Sequence, residues 1–211
     1  MKNNLPKIIP IFPLSNAVFF PRTILPLNIF EDKYIQLIND CMKQDRMFGM
    51  IQPKLKTNNI PDIYNVGCLG KIVGFNETDD KRFVISLSGV IRFRVKSELN
   101  DEKLYRKFIV DYSEFLNDLD LKENEIVNFD KNSFLKKIII FLEKINYSIE
   151  YKELVKLDLD QLVNNVCMIS PFSVGEKQKI IETVKIEDKF KTLDEIITSN
   201  IFELQENKTM Q

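Results

Sequence analysis

The chain has 211 residues, of which 44% are hydrophobic and 29% are charged, a composition typical of a soluble globular protein rather than a disordered or fibrous one. Its 30 basic and 31 acidic side chains nearly cancel, so no overall charge attracts it to nucleic acid or to anionic lipid. Histidine is absent, which removes the commonest general base near neutral pH and most zinc and iron sites, and we expect no metal or other cofactor.

The chain is expected to fold as mature structure in a reducing compartment. No apolar run approaches the ~20 residues that cross a bilayer, so no membrane partner is expected. Pro10 and Pro13 interrupt the helical core that a signal peptide would need near the N-terminus. The three cysteines are odd in number and widely spaced, which argues against a disulfide framework and indicates a cytoplasmic location.

The N-terminal segment alternates prolines with large apolar side chains over residues 9–34. Proline cannot donate to a sheet ladder or sit inside a helix, so this segment predicts irregular, edge-like strands that lead into a helix. That helix is predicted over residues 31–46, because one set of apolar side chains recurs at helical spacing. The set comprises Tyr34, Leu37, Ile38 and Cys41.

Residues 48–112 are rich in glycine and alternate apolar with polar side chains, which predicts a sheet. Residues 66–75 and 83–89 flank a polar turn and read as a hairpin. Its core-facing residues are predicted to be Phe83, Ile85 and Leu87. Gly67, Gly70 and Gly74 indicate bulges or close backbone approaches, which let a sheet curl into a small barrel.

No proline occurs between Pro61 and Pro171, and five of the six glycines lie between Gly49 and Gly89, so the second half of the chain lacks the residues that interrupt helices. Apolar stripes predict helices over residues 131–146 and before Pro171, and a further stripe runs from residue 186 to residue 201. Ser173 and Glu176 form the signature of a capping box. The predicted fold class is therefore α+β, with a bent β-domain over residues 6–116 and a helical bundle over residues 117–205.

No constellation of catalytic residues is recognisable, so the chain is not expected to be an enzyme. The only Gly-Lys pair, Gly70 and Lys71, has Asn65 and Ile72 where a phosphate-binding loop needs glycine and a hydroxyl. Paired carboxylates occur only in polar loops, where they are expected to be solvated. These pairs are Asp79 with Asp80, Asp118 with Asp120, and Glu123 with Glu125.

A basic strand provides an alternative function in RNA binding. It carries Arg92, Arg94 and Lys96, and Arg82 lies across the hairpin. Alternation places these cations opposite the neighbouring phenylalanines, so the aromatic rings serve a core and do not stack on bases. Nucleic acid is therefore an unfavoured partner.

Six sequence segments occur in the order found in a known family. They are FPL (12–14), NAVFFP (16–21), LPLNIFE (25–31), DRMFGMIQP (45–53), VGCLGKIV (66–73) and LSGVIRFRV (87–95). Together they resemble the N-terminal domain of Lon, the substrate-binding part of Lon-type ATP-dependent proteases, and residues 162–181 resemble its helical part. The resemblance implies a PUA-like β-barrel followed by a helical bundle, and recognition of unfolded or tagged polypeptides. Signature side chains such as Phe12, Leu14, Phe19, Leu25, Leu27 and Phe30 are expected in the core.

The chain also departs from the family pattern. Arg22 stands where the family often has glycine, which leaves that turn open to a different backbone conformation. The sequence stops where the ATPase and serine–lysine peptidase modules would begin, so it resembles a stand-alone form with an adaptor or chaperone-like role, with a protease as a candidate partner. The polypeptide-binding surface is predicted at Phe20, Pro21, Arg22 and Thr23, or in a cleft between the two halves.

Overall fold

A computed structural model describes residues 5–15, 17–54, 62–120, 130–147 and 151–209. Internal contacts divide the chain into two compact units, Met1–Leu121 and Lys122–Gln211. The first unit is a β-barrel with one α-helix, and the second is helical. The predicted α+β class, with a bent barrel followed by a helical bundle, is confirmed.

The barrel is built from strands that close through the long strand β5. Its elements are β1 (Ile8–Pro13), β2 (Ile24–Ile29), α1 (Asp32–Met42), β3 (Met47–Ile51), β4 (Val66–Glu77), β5 (Phe83–Leu99) and β6 (Lys107–Asp111). The sheet order is β2-β5-β4-β3-β1-β6, and β6 pairs back onto β5. The first half of β5 carries β2 and the second half carries β6, so β2 lies outside the closed ring.

The β4–β5 hairpin forms as the alternation predicts. Phe83, Ile85 and Leu87 are buried, and the register between the two strands shifts beside Gly70 and Gly74. These shifts are the bulges expected from the glycines, because an extra unpaired residue bends and twists the strand. The confirmed hairpin supplies two of the three strands that form the candidate site.

Helix α1 packs on the barrel through Leu37, Ile38 and Cys41, as predicted. It ends at Met42, four residues before the predicted end at residue 46. The backbone N–H of Arg46 donates to the carbonyl of Cys41, and Arg46 has a φ of 60°. This left-handed residue turns the chain out of the helix and into β3.

A buried ion pair attaches a short 3-10 helix, Ser113–Leu119, to strand β5. The Arg92 guanidinium donates to the Asp118 carboxylate at 2.7 and 2.9 Å, and the Arg92 backbone N–H donates to the same carboxylate at 2.9 Å. The expectation that Asp118 is solvated and that Arg92 lies on an exposed face is therefore wrong. The 3-10 helix covers this part of β5. The alternation of residues within β5 does not predict this, because the helix lies about 20 residues later in the chain. Glu123 and Glu125 lie outside the described residues.

The helical unit contains α2 (Lys131–Lys144), α3 (Tyr151–Val155), α4 (Leu159–Ile169), α5 (Val174–Glu182) and α6 (Ile186–Thr209). The predicted stripes are buried, and the capping box of Ser173 and Glu176 is present at the start of α5. Helix α4 ends at Ile169, just before Pro171, as predicted. Helix α3 was not predicted, because five residues are too few to show a helical period. Helix α6 continues to Thr209, beyond the end of the predicted stripe at residue 201.

Replacing the buried carboxylate should destabilise the barrel unit. We expect Asp118→Asn to lower the free energy of unfolding by about 3 kcal/mol, because the Arg92 charge stays buried without its counter-charge. The control is Glu114→Gln, which removes the counter-charge of the more exposed Arg94 and should cost less than about 1 kcal/mol. Urea unfolding measures both variants, and equal losses would contradict the assigned role of the Asp118 pair.

Candidate functional site

The turn at residues 20–23, predicted as the polypeptide-binding surface, is mostly buried. Phe20, Pro21 and Thr23 are buried, and Arg22 is half-buried. The Thr23 hydroxyl donates to the Phe20 carbonyl at 2.7 Å. The exposed apolar surface expected at this turn is therefore absent from these four residues, and their direct contact with a polypeptide stays a prediction.

This turn instead anchors β2 against β5. The Arg22 N–H donates to the Gly89 carbonyl and the Gly89 N–H donates to the Thr23 carbonyl, each at 2.9 Å. A Cβ atom at Gly89 would lie 2.0 Å from the Phe20 carbonyl oxygen, so a side chain there would prevent this approach. Arg22 has a φ of 59°, the left-handed conformation that glycine adopts without strain. The turn thus keeps a glycine-like backbone although arginine occupies it.

The anchored strand completes a three-stranded surface, which we call the outer face. Direct cross-strand partners in an antiparallel sheet share a face, so the register of β2, β5 and β4 identifies its members. From the anchored turn toward the hairpin tip, the rows are Ile24–Ser88–Lys71, Pro26–Ser86–Gly74 and Asn28–Val84–Asn76. Alternation places Phe30 and Arg82 beyond the last row, on the same side.

Large apolar side chains are exposed on and beside the outer face. The exposed fraction is 57% for Ile24, 42% for Val84 and 63% for Phe30. Val73, the bulge residue of β4, is 59% exposed. Phe30 was expected in the core and is corrected here: it lies after β2 ends, and the Arg82 guanidinium is 5.9 Å from its ring centroid. Such a concentration of exposed apolar groups with a polar surround is typical of a binding surface.

The outer face is not recognisable from the residue pattern of β2. In β2 the residues alternate as Ile, Leu, Pro, Leu, Asn and Ile, so apolar side chains point to both sides of the sheet. The residue pattern of such a strand does not indicate which of its two sides is buried. The polar residues Ser86 and Ser88 of β5 indicate which side of that strand is exposed. Only the pairing of β5 with β2 and β4 shows which residues of those strands lie on the same side.

The basic residues of the RNA alternative do not form an open cationic patch. Arg92 is buried. Carboxylates lie within ion-pair distance of the others: Asp80 is 2.8 Å from Arg82, Glu114 is 2.7 Å from Arg94 and Asp111 is 3.1 Å from Lys96. The backbone N–H of Ser113 is the main cause that lowers the pKa of Asp111 to about 2, and Lys96 contributes. Neutralised cations bind phosphate poorly, so the geometry does not favour polynucleotide.

The potential metal ligands of the described segments are dispersed, and their cysteine thiols are buried. Within those segments no three His, Cys, Asp or Glu side chains are placed to hold a metal ion. Burial raises the pKa of the Cys41 and Cys167 thiols to about 12, which keeps both sulfurs protonated. Over the same part of the chain, no helix combines the length and apolar character needed to span a bilayer.

The helical unit buries two lysines in different settings. The Lys189 ammonium is 2.8 Å from Asp160 and also donates to the Asn164 side chain. Lys177 is buried, and its ammonium donates to the Met168 carbonyl at 3.4 Å. Desolvation lowers the pKa of Lys177, so the charge of Lys177 destabilises the folded protein. The charge of Lys189, in contrast, is paired with that of Asp160.

Comparison with known proteins identifies relatives over almost the whole chain. A family model described as the ATP-dependent protease La (LON) substrate-binding domain matches residues 8–199. Lon protease 2 of Myxococcus xanthus is 27% identical over 201 residues, and Lon protease of Anaeromyxobacter dehalogenans is 26% identical over 201 residues. Each alignment covers 93% of this chain and 24% of the relative. The chain thus spans about a quarter of the length of the curated relatives it matches.

Solved structures share the fold. A Lon N-terminal domain protein from Xanthomonas campestris superposes with a TM-score of 0.64 at 19% identity, covering 88% of this chain and 96% of that one. The N-terminal domain of Mycobacterium avium complex Lon protease gives a TM-score of 0.67 at 13% identity, covering 91% and 98%. These similarities confirm the architecture of a barrel followed by helices.

Glycine at position 22 should stabilise the anchored turn. We expect the free energy of unfolding of Arg22→Gly to exceed that of Arg22→Ala by about 0.5–1 kcal/mol, because only glycine relieves the left-handed strain. Arg22→Ala is the control for loss of the side chain, since alanine keeps the same strained φ. Urea unfolding of both variants makes the comparison, and an alanine variant that is the more stable would contradict it.

Removing the buried charge of Lys177 should stabilise the protein near neutral pH. The ordinary pKa of Lys177 is 10.5, and its pKa in the folded protein is lower. Between these two pKa values the unfolded chain binds more protons than the folded protein, so the stability of the wild type rises with pH. We expect Lys177→Met to exceed the wild type in free energy of unfolding at about pH 7, with the difference shrinking toward about pH 10. Urea unfolding at both pH values tests this, and a constant deficit of the variant would contradict it.

Proposed function

Because the chain belongs to the family of the ATP-dependent protease La (LON) substrate-binding domain, we propose that it is a non-catalytic polypeptide-binding protein that contacts its clients through the outer face. The clients are unfolded or tagged polypeptides, which expose the apolar side chains that a folded protein buries. The role is that of an adaptor or a chaperone-like holder in protein quality control.

The observation that carries this proposal is the exposure of Ile24, Val84 and Phe30 on one side of three paired strands. Fully burying an apolar side chain of this size contributes roughly 1.5–3 kcal/mol. These three are already about half covered, so contact with a client adds only about half of that for each. Because the cost of ordering a flexible chain opposes these contributions, two or three such contacts support only weak binding. A weak, reversible affinity of this kind suits a protein that must release its clients.

The proposed setting is the cytoplasm, with a protease as a candidate partner. The three cysteines are free and buried, which is compatible with a reducing compartment. The Lon proteases that resemble this chain motivate the partner, because a recognition surface is useful to proteolysis only when clients are handed to a peptidase. An adaptor would accelerate degradation by such a partner, whereas a holder would only keep clients soluble.

Charge on the outer face should abolish client binding without unfolding the protein. We expect the double variant Ile24→Lys with Val84→Lys to bind a reduced, unfolded model protein at least tenfold more weakly and to lose suppression of its aggregation. Fluorescence anisotropy and light scattering measure the two effects. Circular dichroism shows whether the variant is folded.

The matched control is Leu104→Lys, which adds charge at an equally exposed leucine of the same unit, away from the outer face. It should bind like the wild type. Wild-type protein that neither binds the unfolded substrate nor suppresses its aggregation would refute the function. Equal losses in the double variant and in the control would refute the location.

A further inference from the structure

The register of the outer face places smaller residues in its middle row than at the ends of the two neighbouring rows, and we call the shallow depression that this implies the trough. Its floor is the middle row, in which Gly74 has no side chain, Ser86 has a small one and Pro26 has a compact ring. Val73, the exposed bulge residue, lies beside Gly74 at the β4 end. Rows on one face of a strand are spaced by roughly 7 Å, and neighbouring strands are about 4.8 Å apart. The trough therefore extends about 10 Å from β2 to β4, which matches three or four residues of extended polypeptide.

The two neighbouring rows form its walls. One wall carries Ile24 at the edge strand and Lys71 on β4, with Ser88 between them. The opposite wall carries Val84 with an asparagine on either side. An extended chain in the trough would contact aliphatic groups on both walls, and the asparagine amides could hydrogen-bond its backbone.

The edge of β2 that pairs with no described strand is poorly suited to the alternative of strand addition. The Gly89 N–H bond to the Thr23 carbonyl makes residues 23 and 89 a hydrogen-bonded pair, and such pairs alternate along an antiparallel ladder. The N–H and C=O groups of Ile24, Pro26 and Asn28 therefore point away from β5, toward the free edge. Pro26 has no N–H, so the middle donor of that edge is missing.

The trough has a charged side chain at its β4 end only. Lys71 is the only charged side chain in the three rows, and it is exposed. No ion pair joins it to a carboxylate among the residues that the structure describes. The other basic side chains of this strand region have acidic neighbours, so Lys71 differs from Arg82, Arg94 and Lys96.

From these features we propose that the trough receives a short extended segment of the client, apolar at its centre and flanked by an acidic residue that pairs with Lys71. The inference rests on the proposed function and specifies which polypeptides are preferred. It also specifies the mode of binding, which uses side-chain contacts across the strands and not hydrogen bonds along the β2 edge. Clients with lysine or arginine beside the apolar segment are disfavoured by like-charge repulsion.

Two fluorescent peptides test the preference. Both carry the same three central apolar residues, and the flanking positions are glutamate in one peptide and lysine in the other. We expect the glutamate peptide to bind wild-type protein at least fivefold more tightly, with a preference that weakens as salt is added. In Lys71→Glu the order should reverse. Lys136→Glu, an exposed charge change on α2, is the control and should keep the wild-type order.

A steric variant tests the place of binding. Ser86→Leu fills the floor of the trough, and it should weaken both peptides at least fivefold while the protein stays folded. Equal binding of the two peptides, an unchanged order in Lys71→Glu, or full binding to Ser86→Leu would each overturn this inference. The proposed function would survive those results if Ile24→Lys with Val84→Lys still abolished binding of the unfolded protein, so the two failures are distinguishable.

Discussion

The architecture of the candidate site depends on one close approach between backbones. Gly89 has no side chain, and the carbonyl of Phe20 occupies the space that a Cβ atom would fill. Hydrogen bonds in both directions then join the turn to β5 and start the pairing of β2. This contact helps to fix the register of β2 on β5, and that register sets the rows of the outer face. The residues predicted to bind polypeptide thus position the surface that we propose for binding.

Charge pairing decides which surfaces of the barrel remain available. The last residue of β6, Asp111, and the 3-10 helix that follows, with Glu114 and Asp118, lie at the basic end of β5. One of these carboxylates is buried with Arg92, and the others neutralise exposed cations. The same strand therefore has a neutralised half and a weakly charged, apolar half. Binding of an apolar chain is favoured on the second half because little polar surface has to be desolvated there.

Several elements were predictable because local pattern and tertiary environment agree. The hairpin, the face of α1, the stripes of α2 and α4 and the capping box of α5 all follow from periodicity or from a short signature, and the family resemblance supplied the barrel. Asp118 and Arg92 were misjudged because each looks solvated within its own segment, and only the folded chain joins residues 26 positions apart. Phe30 was misjudged because the large ring suggested a core, whereas the chain leaves the sheet there.

The class of fold, the family and the order of the longer strands and helices followed from the amino-acid sequence, since these depend on residue periodicity, on glycine and proline, and on ordered motifs. Only the tertiary structure decided which side of β2 is exposed and which cations have partners. The reason is that both depend on neighbours distant in sequence: strand register places Ile24 beside Ser88, and the fold of the 3-10 helix places Asp118 on Arg92. When a strand has apolar residues on both sides, its buried side can be assigned only after the neighbouring strands are known.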